Sequence, residues 1–201
     1  MPRAAALKTP VAGRPAQSAE SWRRAALDWI AAHGIAALAI EPLARHLGVT
    51  KGSFYWHFRD RRDLLGSALA MWEAHDEAQL AAYADTAEPA AERLERFFRA
   101  TSRQSLTHQV YAALLAEQSD SECLVILKRV TQRRFAFLRA AYRALGFKPT
   151  AAEHQARLTY SAYAGLLQLQ KQGIAAPLAG AALDDYVEHL IRVLLRKVAL
   201  R

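Results

Sequence analysis

Cysteine is almost missing: the 201 residues carry one, Cys123. No disulfide can close within such a chain, and a cysteine-ligated zinc site has too few ligands. A lone thiol fits a reducing compartment, and the expectation is a cytoplasmic protein. Long apolar runs are missing too. No stretch of about 18 apolar residues occurs, and the mean hydropathy is −0.08, so no membrane-spanning helix and no membrane partner is expected. Strand-like alternation and internal repeats are also absent. So are the loops and elbows of the commonest enzyme classes: there is no Walker or GxGxxG loop and no strand-flanked G-x-S-x-G. His33, His46 and His57 match no metal-ligand spacing, and His75-Asp76-Glu77 reads as a solvated helix turn. No catalytic residues, metal or cofactor are therefore expected.

What is present is apolar mass, helix formers and positive charge. Apolar residues make up 52% of the chain, enough for a sizeable core. There are 27 Lys and Arg against 19 Asp and Glu, a net charge of +8. Residues 1–62 hold 10 basic and 4 acidic side chains, residues 63–201 hold 17 and 15. A surplus gathered in the first third suits an anionic partner, nucleic acid ahead of a membrane surface. A basic but otherwise ordinary protein fits the charge equally well.

Residues 1–17, with three prolines, read as a flexible basic arm. From Ser18 the pattern is helical throughout. Trp22, Ala26, Trp29, Ile30 and His33 share one face of a first helix, stopped by Gly34. A second starts at Pro42, buries Leu43 and Leu47, and ends at Gly48. Thr50 is placed to cap a third, with Phe54 and Phe58 as i, i+4 partners. Asp60 is placed to cap a long fourth helix reaching about Tyr83. Further helices are predicted over about 90–103, 106–117, 122–145, 151–172 and 182–199. Leu124, Leu127, Thr131, Phe135, Leu138, Tyr142 and Leu145 point inward from the 122–145 helix, and a Thr150/Glu153 capping box opens the next.

The informative stretch runs from Gly34 to Leu65. Two short helices joined by Gly48-Val49-Thr50 must cross steeply and need the first helix and the start of the fourth to complete a core. That is the logic of a three-helix helix-turn-helix domain, whose second short helix enters the major groove. Lys51, Gly52, Ser53, Tyr55, Trp56 and His57 around Phe54 are small or hydrogen-bonding and include no carboxylate. A surface laid against phosphate must lack acid, and the helix N-terminus adds attraction.

These residues resemble the DNA-binding domain of the TetR family of transcriptional regulators. The family pattern, Ile-Ala-x-x-x-Gly-Val-[Ser/Thr]-x-Gly-x-x-Tyr-x-His-Phe-x-x-Lys-x-x-Leu, is met by Leu43, Ala44, Gly48, Val49, Thr50, Gly52, Tyr55, His57, Phe58 and Leu64. Arg61 stands where the family has lysine and Arg62 where it has glutamate. The resemblance covers about residues 18–66. It implies an all-α protein: a helix-turn-helix domain over 18–64 and a helical ligand-binding and dimerisation domain over 65–201. Tyr55, His57 and Arg61 are then expected at phosphates, Lys51, Gly52 and Ser53 in the groove, and Thr50 as cap and phosphate donor. Trp56 faces either the sugar-phosphate backbone or the first helix.

The implied function is a homodimeric regulator on double-stranded DNA with a palindromic site, most simply a repressor released by a small-molecule effector. The resemblance also implies an effector pocket, placed between the fourth helix and those at 90–103, 106–117 and 122–145. The expected lining is Trp72, Phe97, Thr101, His108, Tyr111, Thr131, Phe135 and Tyr142. The last two helices are expected to build the dimer through Tyr160, Tyr163, Leu167, Val187, Leu190, Ile191 and Leu194. Cys123, near a helix start, reads as a redox sensor or an inert thiol. Two other classes stay open: a ligand-independent helix-turn-helix architectural or partner-binding protein, and an all-helical enzyme or carrier with an incidental basic N-terminus.

Overall fold

Local signals place most helix ends, and long-range packing decides which faces they bury. The computed structural model describes residues 18–84, 87–117 and 119–195, and among these it contains helices and no strand. The basic arm expected over 1–17 lies outside the described residues. Helix α1, Ala19–His33, begins where the Ser18 hydroxyl accepts from the Ser21 N–H at 3.2 Å and ends at Gly34, whose φ is +88°. Trp22, Ala26 and Ile30 are buried as expected, together with Ala25, Leu27 and Ala31. Trp29 is half-buried and His33 exposed.

Helix α2 spans Ile40–Leu47, so Pro42 sits inside its first turn rather than opening it. Gly48, at φ +68°, turns the chain in the left-handed region that favours glycine. Helix α3, Lys51–Phe54, is a single turn, followed by a turn over 55–57. Thr50 occupies its N-cap position, but its side chain makes no capping bond. Instead the Ser53 hydroxyl donates to the Thr50 carbonyl at 2.9 Å. Phe54 is fully buried, edge-on to Trp22 at 5.3 Å and beside Phe58 at 5.6 Å. Helix α4, Arg61–Ala84, is capped at Asp60, which accepts from the Asp63 N–H at 2.8 Å.

The remaining helices are α5 (Ala90–Thr101), α6 (Ser105–Ala116), α7 (Ser121–Ala144), α8 (Pro149–Lys171) and α9 (Gly180–Leu194). Helix α1 packs on both α4 and α6, α7 and α8 pack on each other, and α9 lies against α5. One continuous apolar core runs from Trp22 to Leu167. It crosses the boundary expected after residue 64, which falls inside the first turn of α4. No helix of the described residues is long and apolar enough to cross a membrane.

Two further predicted features differ in the structure. The Thr150/Glu153 capping box does not form: Lys148 is the N-cap, Pro149 takes the first turn, and Glu153 pairs with Arg157 at 2.9 Å. On α7, Leu138 and Tyr142 are buried as expected, but the start of the inner face differs. Leu124 is exposed, whereas Cys123, Val130 and Arg134 are buried. Arg134 tolerates burial because Asp76 on α4 lies 2.6 Å away. Beside it, Glu73 accepts from Arg129 and Arg133, so α4 and α7 are joined by a partly buried charge network.

Candidate nucleic-acid interface and internal cavity

The face built by α2, α3 and the following turn carries an unusual concentration of exposed aromatic and basic groups. Trp56 is 87% exposed and Tyr55 56%. His57, Arg59, Lys51, Arg45 and His46 are exposed around them. The backbone explains this arrangement. Phe54 and Phe58 turn inward to fill the core, so the intervening 55–57 turn must point out. Large exposed aromatics side by side mark a contact surface. Trp56 does not pack on α1, which removes that alternative.

Lys51 is partly held, its ammonium donating to Glu41 at 2.8 Å. The pair raises the Lys51 pKa and lowers that of Glu41, through the hydrogen bond first and the charges second. Arg61 has a different setting from its neighbours. Its guanidinium donates through Nε to the Leu38 carbonyl and through Nη2 to the Ile35 carbonyl, both at 2.6 Å. The side chain expected at phosphate is thus turned inward, fastening the start of α4 to the α1–α2 turn.

A cavity of about 880 Å³ lies deeper, among α4, α5, α6, α8 and α9. Leu80, Phe97, Phe98, Leu138, Leu167 and Leu190 give it apolar walls. Its polar floor is Asp76, His108, Arg134, Thr159, Tyr160 and Tyr163. Arg134 binds Asp76 through Nε and Nη2, donates to the Tyr163 hydroxyl at 3.2 Å and lies 4.5 Å over the Tyr111 ring. Burial first, and the Arg134 charge second, lower the His108 pKa to about 4, so its imidazole is neutral at pH 7. Burial lifts the Tyr163 phenol to about 12. Ala31 and Ala32, at the end of α1, also line the space.

A family model described as "Bacterial regulatory proteins, tetR family" matches residues 23–68, the segment that carries the exposed aromatic turn. Over that segment the chain is similar to the TetR family. It is 36% identical over 64 residues to the HTH-type transcriptional regulator SrpR of Pseudomonas putida, a match covering 30% of each chain. The chain therefore spans under a third of that curated relative. Beyond the TetR segment the likeness is one of fold. The fatty acid degradation regulator FadR from Bacillus halodurans superposes with a TM-score of 0.69 at 16% identity, over 94% of this chain and 99% of that one. AibR, solved in complex with isovaleryl coenzyme A and operator DNA, gives 0.67 at 14% identity over 88% and 97%.

Against this TetR framework, the expected pocket moves toward the C-terminus. Phe97, Thr101 and His108 line the cavity, but Trp72, Tyr111, Thr131, Phe135 and Tyr142 do not. They are occupied with the core. The Tyr111 hydroxyl bonds the Thr131 hydroxyl at 3.0 Å and also meets that of Tyr160. Tyr142 bonds Thr159 at 2.6 Å, Phe135 packs on Tyr160 at 4.5 Å, and Trp72 stacks beside Tyr111.

The residues expected at a dimer contact also turn inward. Tyr160, Tyr163, Leu167, Val187, Leu190 and Leu194 line the same cavity, and Ile191 is buried within its own chain. The outer face of α8 instead shows Leu158, 55% exposed, Gly165 and Leu169, 42% exposed. These sit two residues out of phase with the tyrosines, about 200° around the helix. Cys123 is buried and its thiol is pushed up to about 12, by burial first and the Asp120 carboxylate second. That is an inert thiol rather than a sensor. Arg45 and His46 were missed as surface candidates, though their place opposite Leu43 and Ala44 on α2 was visible in the spacing.

Proposed function

We propose that this protein is a ligand-responsive transcriptional repressor of the TetR family that binds a near-palindromic DNA site as a homodimer. Lys51, Gly52 and Ser53 approach base edges, while Tyr55, Trp56 and His57 hold the sugar-phosphate backbone, with Arg45 and Arg59 adding charge. Because α3 is one turn long, this contact rests on exposed side chains more than on a helix dipole. Arg61 acts as an internal clamp, and Thr50 shapes the turn. The dimer forms on the outer face of α8, where Gly165 lets a second helix approach between Leu158 and Leu169. The two reading turns then lie about one duplex turn apart, about 34–36 Å.

One observation supports ligand control above the others. Helix α1 is shared: Trp22 holds Phe54 of the reading turn at 5.3 Å, while Ala31 and Ala32 of the same helix line the cavity. A molecule that fits only one placement of α1 biases the separation of the reading turns, a population shift through a shared element. That AibR has been solved with both isovaleryl coenzyme A and operator DNA supports such a pairing on this fold. No catalytic step is assigned.

The test is selection of bound genomic fragments by the purified chain, followed by salt titration of the best site. Trp56→Ala should weaken binding to all sequences, and Lys51→Ala should also change sequence preference. Gly165→Glu should give a folded monomer in sedimentation with poor site affinity. A chain that binds no duplex in a salt-dependent manner refutes the reading.

A further inference from the structure

The charges around the cavity are unequal. Asp76 is the one carboxylate lining it among the described residues, and Arg134 neutralises it at 2.6 Å. The lining cations are Arg103, Arg134 and Lys171. Arg103 is paired with Asp184 at 2.9 Å. Lys171 has no carboxylate partner among the described residues. Its ammonium donates to the Ala31 carbonyl of α1, 140 residues away in sequence, at 3.3 Å. Ala31 belongs to the last turn of α1, where a helix leaves carbonyls without intrahelical donors and favours a cation. Lys171 therefore both faces the cavity and caps the helix that supports the reading turn. The apolar walls and the volume suit a ligand with a substantial hydrocarbon body, within the range of about 300–1,000 Å³ usual for small-molecule sites.

We infer that the cavity takes an amphipathic anion whose charged head binds the Lys171 ammonium in place of the Ala31 carbonyl, with its apolar body between α8 and α9. This inference rests on the ligand-responsive reading above and gives it a chemical class. A cationic head would meet an uncompensated positive lining. A neutral head would leave Lys171 on α1. An anionic head alone competes for the cap, so its binding and the release of α1 become one event.

The experiment compares three probes with one hydrocarbon body, dodecanoate, dodecanol and dodecylammonium. Binding to the full chain is followed by tryptophan fluorescence below the micellar range. Wild-type protein should bind dodecanoate at least tenfold more tightly than the other two. Lys171→Met, an exposed-site substitution that should fold normally, should lose that preference while keeping its dodecanol affinity, and Lys171→Arg should restore part of it. Leu166→Trp, which narrows the cavity, should weaken all three probes. Equal affinity for the three heads, a preference that survives Lys171→Met, or indifference to Leu166→Trp each overturns the inference. DNA binding is read separately on the same samples. A lost head-group preference with intact DNA binding removes the anion site and leaves the regulator. A Lys171-dependent preference in a protein that binds no duplex removes the regulator and leaves the anion site.

Discussion

Arg61→Ala separates two roles open to this side chain. In the structure its guanidinium donates to the carbonyls of Ile35 and Leu38, both at 2.6 Å. The side chains of Ile35 and Leu38 are themselves buried, so the turn cannot easily swing out to find water. A hydrogen bond from a charged donor contributes about 1.5–3 kcal/mol. Two such bonds, discounted for partial exposure, give an expected loss of about 2–4 kcal/mol. For a chain of this size that lowers Tm by roughly 4–16 °C. Urea unfolding and thermal melts of the variant measure it directly. Arg61→Lys should recover only part, because one ammonium cannot reach both carbonyls along the guanidinium's fixed fork. A phosphate contact would leave another signature: unchanged stability, with the slope of log affinity against log salt reduced by about 0.9. Observing that pair of results would refute the clamp.

Three further outcomes follow from the described contacts. Asp76→Asn strands the buried Arg134 charge and should cost about 3–5 kcal/mol in urea unfolding, while the double variant with Arg134→Met should recover most of it. His108 has a folded pKa of about 4 against an ordinary 6.5. Between those values the unfolded chain takes up a proton that the folded chain refuses, so stability falls as the pH drops from 6.5 to 4. The contribution reaches about 3 kcal/mol, and His108→Gln should flatten that part of the stability–pH curve. Glu41→Gln frees Lys51 and should steepen the salt dependence of duplex binding by up to about 0.9, leaving the urea midpoint in place.

Where the sequence was a reliable guide, the signal was local. Gly34 and Gly48 end helices through their own backbone preference, Asp60 caps through a residue three positions on, and Trp22 with Ile30 marks one face of α1. The misplaced features depend on partners far along the chain. Arg134 is buried because Asp76, 58 residues earlier, stands opposite it, and no periodicity on α7 contains that fact. Arg61 matches a motif position, but its acceptors are main-chain carbonyls, which a side-chain pattern cannot register. On α8 the aromatic stripe is the stronger signal, and it marks the cavity wall. The weaker stripe of Leu158, Gly165 and Leu169 is the one left outside.

The continuous core has a bearing on how this protein could be recombined. A cut after residue 64 severs α4 in its first turn and strips α6 from α1. The reading segment is thus not a portable cassette. A chimera that grafts it onto another regulator should fold only if α4 and the α1-facing side of α6 travel with it. New DNA preferences should therefore arise by substitution within the 51–57 turn more readily than by exchange of whole domains.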